Sequence, residues 1–232
     1  MQPSGVTVRQ QKPLSARFFN RDAAIVAREL LGKLLVRRYQ SELLVGRVVE
    51  AEAYLGQIDP AAHAFAGQTP RNAVLFGPPG VAYVYFIYGN HYCLNVSCMP
   101  AGSAGCVLFR ALEPVSGLST MAKLRGLDLR GNDLCAPELT TLTKLASPAV
   151  KPHRLRSISS GPGRLTQAMA ITRQAHNGMA LTSARSELFL ADDGWRPERI
   201  AVTPRINVTK AADQLLRFLI AGNPFVSAKR IG

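Results

Sequence analysis

The sequence predicts a single mixed α+β domain. Its 232 residues are enough for one large domain or two small ones, and neither an internal repeat nor a clear linker divides them. A helical pattern near the N-terminus is followed by apolar segments of strand length, and a second helical pattern follows a Gly-Pro-Gly turn. Because 47% of the residues are hydrophobic and only 19% are charged, a disordered polycation is excluded.

The N-terminal half is predicted to contain a tail, one helix and most of the strands. Residues 1–16 are polar and free of acidic residues, so we expect a flexible basic tail rather than a targeting peptide. Asp22 is a suitable N-cap for a helix over about 23–31, which Gly32 ends. Five strands are expected, over 33–39, 43–55 and 105–114 and as two strands within 74–98.

The C-terminal half contains fewer clear signals. A helix is predicted over about 114–125, followed by a loop-rich excursion over 126–159. The segment GPGRLTQAMAI opens another helix, and short strands lead to the sequence NPFVS. The uncharged stretch 72–109 is broken by Gly-Pro-Pro-Gly and Gly-Asn, so we interpret it as strands and turns and not as a membrane span.

The net charge of +13 is concentrated in the second half of the chain. From Leu139 to Ser186 there is no acidic residue, and the basic residues there include Arg154, Arg156 and Arg164. This charge on a folded chain indicates a polyanion, either nucleic acid or an anionic membrane surface. These three arginines are candidate phosphate contacts, and the turn before Arg164 would aim backbone N–H groups at an anion.

Cysteine and histidine positions give no sign of a metal site. The four cysteines, Cys93, Cys98, Cys106 and Cys135, have no C-x-x-C spacing, and the four histidines are scattered. We expect buried thiols in a reducing compartment, and neither a metal nor a cofactor.

The strand GRVVEAEAYLG carries acidic side chains at alternate positions. Glu50, Glu52 and Tyr54 share one face, while small apolar residues share the other. Two carboxylates in an apolar strand are costly unless they are solvated, paired or used in chemistry. For Glu50 an exposed edge-strand position is as good an interpretation as a functional one.

Aromatic residues around a predicted hairpin leave its register open. A two-residue loop, slightly favoured by the sequence, would put Tyr85 and Asn95 on opposite faces, whereas a three-residue loop over 89–91 would pair them on one face. Tyr88 at the tip is either a surface residue or a wedge into stacked bases.

Two further residues have both a structural and a functional interpretation. Arg110 interrupts an apolar strand, so it needs either a carboxylate partner or a ligand. His63 lies in a turn region, where it is either an ordinary loop histidine or part of a site.

Six blocks resemble the alkyladenine type of 3-methyladenine DNA glycosylase, in that family's order and over about residues 17–230. They are ARELLGKLLVRR, GRVVEAEAYLGQIDPAAHAFAGQTPRN, GVAYVYFIYGNHYCLNVSC, VLFRALEP, SGPGRLTQAMAI and PRINVTKAADQLLRFLIAGNPFVS. The resemblance implies a curved antiparallel β-sheet with surrounding helices, a protruding β-hairpin that enters the minor groove, and a pocket for a flipped nucleotide. It also implies the longer hairpin loop, since Tyr85 and Asn95 would face one cavity.

The resemblance implies a role for each matching residue. Glu52 would be the general base that positions water, and Arg110 would help to hold that water. The other implied roles are pocket walls for Tyr54, His63 and Tyr85, intercalation for Tyr88, exclusion of the guanine amino group for Asn95, and phosphate binding for Arg164.

The chain departs from the family pattern in two places. The segment AFAG at 64–67 stands where basic residues are usual, which puts a phosphate contact there in doubt. Asn207 and the pair Leu215-Leu216 stand where Gly and Pro-Trp are usual, so local packing is expected to differ.

The implied function is a monofunctional DNA glycosylase that starts base excision repair. It would bind double-stranded DNA as a cytoplasmic, nucleoid-associated monomer and release 3-methyladenine and 7-methylguanine, with ethenoadenine and hypoxanthine left open. A Schiff-base step is not expected, because no lysine was identified in the proposed pocket blocks.

The alternative is a non-catalytic DNA- or RNA-binding protein with the same basic face. A sugar hydrolase is disfavoured, because Glu50 and Glu52 lie on one strand face and cannot flank a glycosidic bond.

Overall fold

The computed structural model describes residues 12–87, 89, 91–127 and 152–227, without the side chains of 152–154. The described strands are β1 (Lys12–Pro13), β2 (Leu34–Tyr39), β3 (Glu42–Tyr54), β4 (Ala82–Ile87), β5 (His91–Cys98), β6 (Gly105–Ser116), β7 (Leu188–Asp192), β8 (Ile200–Thr203) and β9 (Arg217–Ile220). The described α-helices are α1 (Ala16–Phe19), α2 (Ala23–Leu30), α3 (Leu118–Leu124), α4 (Pro152–Ser159), α5 (Pro162–Ala168) and α6 (Arg173–His176). Helices and strands form one compact domain of the predicted mixed class.

The strands form one antiparallel sheet that curls into a half-barrel. Its main order is β1-β7-β2-β3-β6-β5-β4, and β9 pairs with both β3 and β8. The first half of β3 pairs with β2, while Glu50–Glu52 pair with β9. Register shifts between β3 and β6 lie on both sides of Glu50. Such bulges bend a strand and increase its twist, which lets β3 pass between two sets of neighbours.

Helix α2 packs against an apolar face of the sheet formed by β3, β6 and β9. Asp22 caps this helix by accepting hydrogen bonds from the backbone of Ala24 and Ile25, as its sequence predicts. Val26 and Leu30 of α2 belong to the same buried core as the small apolar residues of β3. Since that face of β3 is filled by the core, Glu52 and Tyr54 lie on its other face, where both line a cavity.

The β4–β5 hairpin has a register that differs from both alternatives considered from the sequence. Ile87 pairs with His91, and Tyr83 rather than Tyr85 lies opposite Asn95. Relative to the predicted three-residue loop, which would pair Tyr85 with Asn95, the residue opposite Asn95 is shifted by two positions along β4. Because side chains alternate between faces with a period of two, Tyr85 and Asn95 still share a face.

Two predicted boundaries were wrong. Lys12–Pro13, assigned to the tail, pair with Asp192 and Ala191 of β7, and α1 begins at Ala16. Pro152–Ser159, assigned to the loop-rich excursion, form α4. The hydrophobic pattern missed α4 because it is short and rich in polar residues. No described helix is long and apolar enough to cross a membrane.

Helix α5 packs closely against β5 near the turn end of the β4–β5 hairpin. Gly161, with φ 113°, precedes the helix, and Pro162 occupies its first turn. Thr166 donates from Oγ1 to the carbonyl oxygen of Tyr92 at 2.9 Å. A Cβ atom at Gly163 would lie 2.9 Å from Cγ and 3.0 Å from Cβ of His91. The absence of a side chain at Gly163 therefore sets how closely α5 approaches β5.

We expect Gly163→Ala to lower the free energy of unfolding by about 1–3 kcal/mol, because overpacking His91 outweighs the better helix propensity of alanine. Adding His91→Ala, which removes the Cγ contact, should recover part of this loss. Urea unfolding of the single and double variants measures both effects.

Gly77→Ala is the matched control, because Gly77 has φ −84° and its added Cβ would have the carbonyl oxygen of Val74 at 3.4 Å as its nearest neighbour. Equal effects at Gly163 and Gly77 would show that the contact with His91 is not limiting.

Candidate active site

A cavity of about 820 Å³ opens where β3, β4, β5 and β6 meet the start of α5 and residues 206–210. The structure brings together at its wall seven of the residues singled out in the sequence: Glu52, Tyr54, His63, Tyr85, Asn95, Arg110 and Arg164. Tyr88 and the side chain of Arg154 lie outside the described residues. Arg156 is not among the lining residues, and its Nη2 donates to the carbonyl oxygen of Val226 at 2.6 Å.

The Glu52 carboxylate is fully buried and is held by three donors. The backbone N–H of Ile206 donates to Oε1 at 2.8 Å, the Tyr54 hydroxyl donates to Oε2 at 3.0 Å, and Nη1 of Arg110 lies 3.1 Å from Oε1. Burial, together with the charge and hydrogen bond of Glu52, raises the pKa of Tyr54, so its hydroxyl keeps its proton. A carboxylate fixed in this way can accept a proton from water or stabilise nearby positive charge.

Arg110 lies between two carboxylates. Its Nε donates to Oε1 of Glu50 at 2.9 Å, while its Nη1 faces Glu52. Burial alone would lower the pKa of Arg110, but the charges of Glu52 and Glu50 raise it above its usual value, so the guanidinium stays charged. The salt-bridge interpretation of Arg110 is therefore confirmed, and the side chain also lines the cavity.

Glu50 is not an exposed edge-strand residue, and that interpretation was wrong. It is fully buried because β6 and β9 both pair with its part of β3. Its carboxylate accepts hydrogen bonds from Nη1 of Arg217 at 2.9 Å and from the backbone N–H and hydroxyl of Ser227 at 2.6 and 2.8 Å. Two buried carboxylates and two guanidiniums thus form a formally neutral cluster, closed from behind by the C-terminal segment.

Aromatic rings form another part of the wall. The rings of His63 and Tyr85 are 4.6 Å apart at 66°, and those of Tyr83 and Tyr85 are 5.4 Å apart. Burial raises the pKa of Tyr85, whereas burial and the charge of Arg71 lower the pKa of His63. These side chains are therefore neutral at neutral pH, and a flat or cationic ligand suits their faces.

Asn95 lies deeper in the wall, with only 2% of its surface exposed. Its Nδ2 donates to the carbonyl oxygen of Tyr83 at 3.2 Å. The neighbouring thiols Cys93 and Cys106 also line the cavity, and burial raises the pKa of Cys106 to about 12. The expectation of buried free thiols is confirmed for Cys93, Cys98 and Cys106, while Cys135 lies outside the described residues.

A buried ion pair supports the cavity wall from behind. Asp59 accepts from Nη1 and Nη2 of Arg205 at 2.5 and 2.9 Å, and both side chains are fully buried. The guanidinium also stacks 4.7 Å from the centre of the Tyr54 ring. Burial alone would raise the pKa of Asp59, but the hydrogen bonds from Arg205 and two backbone N–H groups hold it below its usual value. The pair connects the turn before His63 to the segment whose Ile206 N–H binds Glu52.

Sequence reasoning missed the lining segment 206–210. It includes Asn207, which has the uncommon φ of 58°, and the exposed Lys210. The expectation that no lysine lies at the pocket was therefore wrong. Asn207 and Lys210 lie within a matching sequence block. They reach the cavity that Glu52 lines because the chain turns at Asn207, and hydrophobic periodicity does not predict that turn.

Among the residues that the structure describes, no group of three or more His, Cys, Asp or Glu side chains is arranged to hold a metal ion. The cavity's polar groups are instead bound to one another.

Comparison with known proteins gives a consistent family match. A family model described as "Methylpurine-DNA glycosylase" matches residues 17–224. A relative from Koribacter versatilis, named "Putative 3-methyladenine DNA glycosylase", is 53% identical over 221 residues, covering 95% of this chain and 96% of that protein. Relatives with the same name from Burkholderia cenocepacia and Carboxydothermus hydrogenoformans are 43% and 41% identical, covering 90% and 93% of this chain and 88% and 99% of theirs.

We expect Asp59→Asn to lower the free energy of unfolding at neutral pH by roughly 3–5 kcal/mol, because it leaves the buried Arg205 without a counter-charge. The folded-state pKa of Asp59 is depressed, so the pair's contribution is complete above the unfolded-state pKa and is lost as the pH falls through the folded-state pKa. The difference between wild type and variant should therefore shrink in acid. Urea unfolding across a pH series measures it.

Glu29→Gln serves as the control, because it breaks the exposed Arg21–Glu29 pair. It should cost less than about 1 kcal/mol. A cost at Asp59 no larger than this would contradict a supporting role for the buried pair.

Proposed function

The chain belongs to the methylpurine-DNA glycosylase family and is a hydrolase of N-glycosyl bonds, and we propose that it receives a flipped alkylated purine in the cavity beside Glu52. The observation that carries the proposal is the fully buried Glu52 carboxylate at the wall of an aromatic cavity. A carboxylate without exposure is costly for a protein that only binds. It suits an enzyme that must activate water.

The proposed reaction is hydrolysis of the bond between the damaged base and deoxyribose, through a transition state like an oxocarbenium ion. Glu52 accepts the proton of the attacking water and stabilises positive charge that grows on the sugar. Arg110 helps to hold the water and supplies the counter-charge of the carboxylate. The hydrogen bond from Ile206 fixes the direction of the carboxylate, so the water meets the sugar from one side.

The proposed substrates are purines alkylated at ring nitrogens, beginning with 3-methyladenine and 7-methylguanine. Such bases are cationic, so they leave readily and are attracted to aromatic faces such as those of Tyr54, His63 and Tyr85. Asn95 would exclude ordinary guanine by opposing its exocyclic amine. Tyr88 would fill the gap in the duplex after flipping.

The backbone of the DNA would be held at the mouth of the cavity. Arg164 is exposed there and has no ion-pair partner among the described residues. Arg154 and Arg156 extend the proposed phosphate contacts along α4. Lys210 is a second exposed, positively charged side chain at the mouth of the cavity, and it was not predicted from the sequence.

The proposed enzyme is monofunctional. Nucleophilic lysines are activated by desolvation or by a neighbouring cation, and Lys210 is exposed to solvent. We therefore expect water, not the amine, to attack the sugar. Borohydride added during the reaction should trap no covalent protein–DNA complex, and a trapped complex that disappears in Lys210→Arg would contradict this part of the proposal.

The alternative of a non-catalytic binder requires the basic face but no buried carboxylate. It gives no reason for the cluster of Glu50, Glu52, Arg110 and Arg217, whose burial is costly unless its geometry is used. A sugar hydrolase with Glu50 and Glu52 on two sides of a bond is disfavoured, because Glu50 is sealed behind Arg110.

Duplexes that each carry one defined lesion, assayed for abasic sites, test the proposal. We expect release of 3-methyladenine and 7-methylguanine, with ethenoadenine and hypoxanthine included to define the range. Glu52→Gln should reduce single-turnover excision by about 10²–10⁴-fold while lesion-DNA binding persists, because it removes the proton acceptor and keeps the shape.

Glu198→Gln is the matched control, since it makes the same change at an exposed glutamate outside the cavity. It should leave excision unchanged. Wild-type rates in Glu52→Gln would assign the general base to another residue, and absence of excision from every duplex would favour the binding protein.

A further prediction separates phosphate binding from base discrimination. Arg164→Gln should weaken binding to damaged and undamaged duplexes alike and reduce the salt slope by about 1, because released counterions carry no base information. Asn95→Ala should keep the salt slope and increase excision of normal guanine. Binding titrations at several salt concentrations and excision from undamaged duplex measure the two effects; the reverse pattern would mean that the two roles are assigned the wrong way round.

A further inference from the structure

Two of the three donors that hold Glu52 adjoin one buried residue, Arg205. Ile206, whose backbone N–H donates to Oε1 of Glu52 at 2.8 Å, is the next residue in the chain. Tyr54, whose hydroxyl donates to Oε2 at 3.0 Å, has the Cζ atom of Arg205 4.7 Å from the centre of its ring. Arg205 is not among the residues that line the cavity, and the proposed mechanism gives it no role.

The Arg205 side chain is itself fixed from several sides. Its Nη1 and Nη2 donate to the two carboxylate oxygens of Asp59 at 2.5 and 2.9 Å, and Nη1 also donates to the carbonyl oxygen of Ala53 at 3.1 Å. Burial alone would lower the pKa of Arg205, but the hydrogen bond and charge of Asp59 raise it above its usual value, so the guanidinium stays charged. Ala53 lies between Glu52 and Tyr54 on β3. One side chain therefore contacts both the strand that carries the carboxylate and a ring whose hydroxyl holds it.

The two oxygens of Glu52 have different numbers of donors. Oε1 accepts from Ile206 and faces Nη1 of Arg110 at 3.1 Å, so both of its acceptor positions are in use. Tyr54 is the one donor to Oε2 among the residues that the structure describes. Oε2 therefore keeps an acceptor position for the attacking water, and the direction of that position depends on all three donors.

We propose that Arg205 is a positioning residue that orients the Glu52 carboxylate toward the attacking water, through the hydroxyl of Tyr54 and the backbone N–H of Ile206. This inference rests on the proposed function for the reaction that Glu52 performs. It gives the Tyr54 hydroxyl a task separate from that of its ring, which is a proposed wall for the base. Disturbing Arg205 should slow the chemical step more than it weakens lesion binding, because the rings that would contact the base remain.

Arg205→Lys tests this geometry and keeps the charge. A lysine still neutralises Asp59, but its single nitrogen cannot reproduce the planar fork of the guanidinium or its stacking on the Tyr54 ring. We expect single-turnover excision at saturating protein to fall about tenfold, the effect of one hydrogen bond, while the affinity for the lesion duplex is kept. Tyr54→Phe, which keeps the ring and removes the hydroxyl, should separate rate from affinity in the same way. If Arg205→Lys does not fold, Arg205→Gln combined with Asp59→Asn replaces it, because that pair leaves no unpaired buried charge.

Double variants test whether Arg205 acts through Glu52. Adding Arg205→Lys to Glu52→Gln should cause no further loss of excision, because the proton acceptor is already gone. Adding it to Tyr54→Phe should cause a smaller loss than it causes in the wild type, because part of its effect passes through the Tyr54 hydroxyl.

Arg47→Lys is the matched control, because Arg47 makes the same kinds of contact away from the cavity. Its Nη1 and Nη2 donate to Asp193 at 3.1 and 2.7 Å, and Nη1 also donates to the carbonyl oxygen of Gly32 at 2.6 Å. Its guanidinium lies 4.8 Å from the centre of the Trp195 ring. Arg47→Lys should leave excision unchanged. Urea unfolding of both lysine variants checks that they are folded.

Spectra of the DNA-free protein test the two hydrogen bonds without the reaction. The ¹³Cζ signal of Tyr54 is assigned with Tyr54→Phe, and the ¹⁵N–¹H signal of Ile206 with Ile206→Val. Both signals should move when Glu52→Gln removes the charged acceptor, because charge-assisted hydrogen bonds are the shorter and stronger ones. They should move less when the same change is made in Arg205→Lys, where the donors are held less firmly. Tyr39, which lies outside the cavity, is the internal control.

The outcomes distinguish this inference from the proposed function. Wild-type excision in Arg205→Lys and Tyr54→Phe, or equal losses of excision and of affinity, would overturn the positioning role even in an active glycosylase. An equal loss from Arg205→Lys in the wild type and in the Glu52→Gln background would also overturn it. The expected spectra with no excision from any lesion duplex would overturn the proposed function and leave the support of Glu52 by Arg205 established.

Discussion

The burial of the Glu52 carboxylate is the constraint on which the rest of the structure depends. A fully buried negative charge is tolerated only with a counter-charge and satisfied hydrogen bonds. Arg110 supplies the charge, and Ile206 and Tyr54 supply further donors. Each donor comes from a different part of the chain, so holding one carboxylate also fixes how β6 and the segment after β8 meet β3.

The path of β3 is a consequence of the same cluster. Glu50 and Glu52 both contact Arg110, although Glu50 lies behind the cavity and Glu52 lines it. The register shifts on either side of Glu50 and the change of partner from β2 to β9 permit this arrangement. Arg217 and Ser227 then neutralise and cover Glu50. Arg217 and Ser227 therefore support the candidate site from behind, although neither is among the residues that line the cavity.

Two of the tyrosine rings that line the cavity each have a guanidinium nearby. Arg205 is 4.7 Å from the Tyr54 ring, and Arg71 is 5.9 Å from the Tyr85 ring. A cation already on an aromatic ring reduces the attraction of that ring for a second cation. In the proposed function, stacking on these rings would therefore contribute more to base binding than attraction between a cationic base and the rings.

The sequence by itself determined the fold class, the cap of α2 at Asp22 and the face that Glu52 and Tyr54 share, because these follow from local periodicity. It also identified seven of the residues that meet at the cavity, because they lie in matching sequence blocks. Tertiary structure decided the hairpin register, which turn geometry sets, and the burial of Glu50, which depends on β9 arriving from more than 160 residues away in the chain. It also decided that Lys210 lines the cavity and that Arg71 lies close to the Tyr85 ring. These last features require distant segments to meet in three dimensions, and no local pattern in a single sequence encodes that meeting.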